Sequence, residues 1–121
     1  MCGIAGFSGS FDESLLTRMS AALAHRGPDD AGLCFLPGSG IGLAHRRLSI
    51  IDLSPAGHQP MSAGEGAPLI SYNGELYNFR ELRAELEAAG VRFRGRSDTE
   101  MLLEAIARWG VEKALSCRNF R

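Results

Sequence analysis

At 121 residues the chain has the length of one domain rather than two. Thirteen basic against fourteen acidic side chains leave a formal net charge of -1, and 45% hydrophobic with 22% charged residues is the composition of a soluble globular protein able to build a core. This balance excludes the basic excess expected of a nucleic-acid binder, and no apolar run reaches the length of a membrane span.

The opening MCGIAGFSGSFDES has no basic stretch followed by a long apolar one. A signal peptide is therefore not expected, and the cytoplasm is the expected compartment. The three cysteines, Cys2, Cys34 and Cys117, are odd in number and widely spaced, so they form neither a CxxC site nor a disulfide framework.

Ile4 to Ser8 reads as a short strand. Asp12 can cap a helix from about Glu13 to His25, with Leu15, Leu16, Met19, Ala22 and Leu23 on one face and Gly27-Pro28 as the stop. Gly32 to Leu36 and Ile41 to His45 read as a hairpin around Pro37-Gly38-Ser39-Gly40. Leu48 to Leu53 is apolar and fits either element. A turn-rich loop from Ser54 to Pro68 precedes a strand from Leu69 to Tyr72. Asn78 with Glu81, and Ser97 with Glu100, have the spacing of capping boxes. They predict one helix ending at Gly90 and another carrying Leu102, Ala105, Ile106 and Trp109 to Gly110, with Val91 to Phe93 as a strand between them. Hairpins mixed with helices place the fold in the α+β class.

Four groups of residues can carry chemistry. If Met1 is removed, Cys2 bears both a thiol and an α-amine whose pKa near ~8 suits it to act as base for its own nucleophile. Alone, Cys2 reads more readily as a cysteine that happens to follow the initiator. Tyr72-Asn73-Gly74-Glu75 places an amide side chain and a glycine N–H in one tight turn, which fits two oxyanion donors or a plain hairpin. Arg47 can grip a carboxylate through a forked pair of hydrogen bonds, and Asp98 can take an ammonium or simply support a helix start. His25-Arg26-Gly27-Pro28-Asp29 reads as a structural turn. His25, His45 and His58 lack metal-ligand spacing and are read as non-ligands; no phosphate-binding glycine loop is present.

Together these strings resemble the class II glutamine amidotransferases, which are N-terminal-nucleophile hydrolases. Met1-Cys2-Gly3-Ile4-Ala5-Gly6 is similar to the family's opening. HRGPD at 25–29, AHRRLSIID at 44–52, GHQPM at 57–61, YNGELYN at 72–78 and SDTE at 97–100 follow in the order seen in the branch fused to asparagine synthetase. The resemblance implies a four-layer α-β-β-α sandwich. It implies Cys2 as nucleophile, Asn73 and the Gly74 N–H at the oxyanion, Arg47 on the α-carboxylate of L-glutamine, and Glu75 and Asp98 on its α-ammonium. Backbone near Ile50 and Ile51 would complete the pocket. Glutamate and ammonia would be the products. No metal or cofactor is expected in this chain; ATP and magnesium are expected on a synthetase domain that amidates aspartate, in a full-length protein compatible with a homodimer.

The resemblance runs to about residue 116, giving a partial amidotransferase domain at 1–116 and an atypical tail at 117–121. Strands that the family pattern continues into are expected to be absent, leaving the sandwich incomplete at its C-terminal end. Three readings stay open: a glutaminase half of an asparagine synthetase, an inactive truncated remnant, and a module that senses glutamine. The ammonia acceptor also stays open, an aminosugar or an exported-polymer precursor being the alternatives to aspartate.

Overall fold

A computed structural model describes residues 1–49 and 54–116. Ile50, Ile51 and the tail from Cys117 onward lie outside the described residues. The element order is β1 (Gly3–Ser8), α1 (Glu13–Ala22), β2 (Asp30–Leu36), β3 (Ile41–Arg47), β4 (Met61–Ser62), β5 (Leu69–Ile70), α2 (Phe79–Ala88), α3 (Asp98–Trp109) and α4 (Val111–Ser116). Two small sheets and four helices make a mixed α/β architecture, in keeping with the expected class. None of the described helices is long and apolar enough to cross a membrane. The chain divides into two compact units. One comprises Met1–Ile50, His58–Pro60 and Ser71–Asn73, and the other Ile51–Gly57, Met61–Ile70 and Gly74–Arg121.

The first unit is an antiparallel sheet of order β1-β3-β2 with α1 packed on it. Gly3 pairs with Arg46 and Ile4 with His45; across the other edge of β3, Gly32 pairs with His45 and Asp30 with Arg47. Because strand side chains alternate between faces, Ala44 and Arg46 look one way, and His45 and Arg47 the other. The first face is the one α1 covers. Ala44 is buried there, and Arg46 Nε donates to the Ser20 carbonyl and hydroxyl, each at 3.0 Å. Asp12 caps α1 by accepting Leu15 N–H at 3.1 Å, and Leu16 anchors its buried stripe. The helix ends at Ala22, short of the expected His25. Leu23 N–H reaches back only three residues, to the Ser20 carbonyl, and Ala24–Arg26 continues as a 3-10 turn.

The second unit centres on Leu76, Leu82, Leu86, Met101, Ala105 and Ala114, with Phe79, Val91, Phe93, Ile106 and Trp109 packed around them. The pair β4–β5 lies against α3. Several sequence expectations are corrected here. The loop expected over 54–68 contains a 3-10 turn at Pro55–Gly57 and strand β4. The strand expected over Leu69 to Tyr72 stops at Ile70. No strand forms at Val91 to Phe93. Val91 and Phe93 pack against the core, but Val91 N–H closes on the Leu86 carbonyl and Arg94 and Gly95 N–H go to a side chain instead of a partner strand. Asn78 precedes α2 but makes no side-chain cap bond; its backbone, at φ -94° and ψ 31°, departs from the extended shape that a capping side chain needs. The short helix α4 had no sequence signal.

Candidate active site

Cys2 stands at the start of β1, next to the end of β3. Its sulfur accepts Leu48 N–H at 3.3 Å, and its thiol is 3.6 Å from the Leu48 carbonyl. Arg47, one residue earlier, is buried. Sheet alternation puts its side chain on the face away from α1, the face to which Cys2 belongs by continuing the parity of Ile4. The HRGPD string explains how this corner is held. A Cβ on Gly27 would lie 2.3 Å from the Arg46 carbonyl carbon and oxygen and 2.5 Å from Arg47 N, so only glycine lets the two backbones touch. Asp29 N–H donates to the Arg47 carbonyl at 3.0 Å, and the Asp29 carboxylate accepts Ser49 N–H at 2.8 Å. Residues 47 to 49 are thus fixed on both sides of the backbone that meets Cys2.

The same face carries the segment leading to Asn73. His45, 1% exposed, has Nε2 3.1 Å from the Tyr72 carbonyl, and Tyr72 N–H donates to Gln59 Oε1 at 2.7 Å. Tyr72 therefore leaves the expected strand because side chains take both of its backbone groups. Gln59 itself lies against β2: a Cβ on Gly32 would come 1.7 Å from the Gln59 carbonyl oxygen. Its neighbour His58 places Nδ1 2.6 Å from Asp30 Oδ2. Burial pushes the His45 pKa below its ordinary 6.5. The Tyr72 carbonyl opposes the shift, Arg47 adds to it, Asp30 opposes it and His58 adds to it. His45 is thereby held neutral more readily than an exposed histidine.

Cys2, Arg47 and Asn73 belong to the first unit, and Gly74, Glu75 and Asp98 to the second. In the second unit, Ser97 Oγ accepts Glu100 N–H at 3.2 Å, the cap expected for α3. The reciprocal half of that box is absent. Glu100, 1% exposed, instead accepts Arg94 N–H at 2.7 Å and Gly95 N–H at 2.9 Å. Asp98 is also buried, and its carboxylate accepts Leu76 N–H at 3.1 Å. That bond ties the YNGEL turn to the first turn of α3 and brings exposed Glu75 within electrostatic reach of Asp98. Burial raises the Asp98 pKa above the usual 3.8. N–H groups of Leu76, Thr99 and Asp98 itself oppose the rise, and the charge of Glu75 adds to it. A buried carboxylate beside a second negative charge makes a place that a cation would favour.

Sequence reading singled out Cys2, Arg47, Ile50, Ile51, Asn73, Gly74, Glu75 and Asp98 as candidates and left His45, Gln59 and Asp29 without a chemical role. Their strings are visible in the sequence; their partners lie 27, 13 and 20 residues away and depend on sheet register. Among the described residues no group of His, Cys, Asp and Glu could hold a metal ion.

Comparison with known proteins supports the motif reading. The family described as "Glutamine amidotransferase domain" matches residues 1–119. Asparagine synthetase [glutamine-hydrolyzing] 1 of Bacillus subtilis is 39% identical over 98% of this chain and 20% of its own length. The putative asparagine synthetase [glutamine-hydrolyzing] 2 of Methanocaldococcus jannaschii is 34% identical over 93% of this chain and 25% of its own. Amidase chry2 of Gibberella zeae is 43% identical over 74% of this chain and 13% of its own. The chain spans about a fifth of the length of the curated relatives it matches.

Proposed function

With the chain belonging to the glutamine amidotransferase domain family, we propose that it supplies the glutaminase half of a glutamine-dependent asparagine synthetase. The observation that carries this reading is the corner where Cys2 Sγ meets the Leu48 backbone beside buried Arg47. A thiol and a guanidinium occupy one face at one end of one sheet, which supports reading them as nucleophile and carboxylate binder. The relatives, named as glutamine-hydrolysing asparagine synthetases, point to glutamine as the substrate.

Removal of Met1 frees the Cys2 α-amine, which takes the thiol proton as sulfur attacks the glutamine side-chain amide. The Asn73 side chain and Gly74 N–H receive the oxyanion. Collapse expels ammonia, the amine returning the proton to the leaving nitrogen, and water then releases glutamate from the thioester. Arg47 holds the α-carboxylate and Glu75 and Asp98 the α-ammonium; Ile50 and Ile51, also expected at the pocket, lie outside the described residues. In the full-length protein the ammonia is used by a synthetase domain that activates aspartate with ATP and magnesium. The fold is the four-layer sandwich of N-terminal-nucleophile hydrolases, in a cytoplasmic protein.

The test is ammonia release from L-glutamine by the purified protein. Cys2→Ala is expected to lower it by at least about 1,000-fold, as loss of a nucleophile does. Near-unchanged release from Cys2→Ala would refute the assignment.

A further inference from the structure

Tyr72 is the residue before Asn73, and the peptide unit joining them is planar. Whatever holds the Tyr72 carbonyl therefore also orients the nitrogen and Cα of Asn73. His45 Nε2 is 3.1 Å from that carbonyl, which can only accept, so Nε2 carries the proton. On the other side of Tyr72, its N–H is held by Gln59 Oε1 at 2.7 Å. Both clamping side chains are buried, at 1% and 6% exposure. They also rest on one rung of the sheet: Gly32 pairs with His45, and the Gln59 backbone crosses directly over Gly32.

The other nitrogen of His45, Nδ1, is buried with no hydrogen-bond partner. An aliphatic side chain would fill this space without the unpaired Nδ1, but it would take the donor away from the Tyr72 carbonyl. What histidine alone contributes there is the Nε2–H donor, and that donor is spent on one backbone carbonyl.

We propose that His45 and Gln59 are positioning residues that fix the Asn73 peptide for oxyanion binding. The proposal rests on the glutaminase reading above. It predicts an effect on the transition state and not on substrate affinity, because neither side chain is assigned to a group of glutamine. A loosened donor loses part of the 100- to 1,000-fold that an oxyanion donor typically supplies.

In the full-length protein, His45→Leu is expected to lower kcat for glutamine hydrolysis by roughly 10- to 100-fold with KM changed less than about threefold. His45→Gln, which places an amide N–H where Nε2 stands, is expected to recover most of that loss, and Gln59→Leu to resemble His45→Leu. Unchanged kcat in a folded His45→Leu protein, or a loss borne by KM, overturns the proposal. So does a His45→Gln protein that melts like the unaltered one yet is as slow as His45→Leu. Nitrogen NMR of the unaltered protein gives a readout independent of activity: the His45 ring is expected as the Nε2–H tautomer, and the Nδ1–H tautomer overturns the clamp. If the unaltered protein releases no ammonia from glutamine, the glutaminase reading fails, while the tautomer still decides whether the clamp exists.

Discussion

The two compact units place their site residues by different physical means. In the first, position comes from backbone meeting backbone: the register of β1, β3 and β2, the Gly27 and Gly32 close approaches, and the side chains of His45, Gln59 and Asp29 that reach to main-chain groups. In the second, position comes from carboxylates buried at the start of α3, which collect the N–H groups of preceding loops. Glu100 takes those of residues 94 and 95, and Asp98 takes that of Leu76. A helix N-terminus is a favourable place for those charges, which makes their burial tolerable. The comparison teaches that residues set by sheet geometry are vulnerable to added bulk, and residues set by buried charge to neutralisation.

That difference can be broken at one position in each unit. Gly32→Ala should have the largest effect. Its Cβ would fall 1.7 Å from the Gln59 carbonyl oxygen, so the backbone must move, at a cost of about 3 kcal/mol. Chemical denaturation reads the loss, and hydrogen exchange should locate it at residues 58–60 and 71–73. Glu100→Gln should cost about 2 kcal/mol, because an amide turns one NH2 toward an N–H that the carboxylate had satisfied. A Glu100→Gln protein as stable as the unaltered one would mean that charge at α3 does not organise the loop.

Smaller effects sharpen the contrast. Ser97→Ala removes the cap bond to Glu100 N–H and should cost about 1 kcal/mol in the same denaturation experiment. The two titrating groups should give opposite slopes of stability against pH. The raised Asp98 pKa means that the folded state holds its proton longer, so stability falls as pH rises from 3.8 through the folded value. The lowered His45 pKa means that the folded state resists protonation, so stability falls as pH drops from 6.5 through the folded value. Denaturation across pH should show each slope flattened in Asp98→Asn and His45→Gln respectively. An unchanged slope in either variant would reassign that titration.

Much of this was legible in the sequence, for reasons that particular residues show. The caps at Asp12 and Ser97 use side chains that bond three residues onward, so local spacing identifies them. The hairpin of β2 and β3 followed from turn residues between two apolar runs. Asn78 and Glu100 show the limit of spacing: each has the right neighbour for a capping box, but Asn78 has the wrong backbone shape and Glu100 has nearer N–H groups to satisfy. Strand β4, two residues long, is too short for any periodicity to register, whereas β5 was expected and is two residues shorter than expected. His45 was legible as a residue and not as a positioning group, because its partner at Tyr72 is set by the sheet.

The central claim is that Cys2 is the residue acylated by glutamine. Acid quenching of the purified protein during turnover, followed by digestion and mass spectrometry, tests it directly. The account predicts a γ-glutamyl thioester on an N-terminal peptide that begins at Cys2 and lacks Met1. Turnover by protein that retains Met1, or an acyl group found on any other residue, would contradict it.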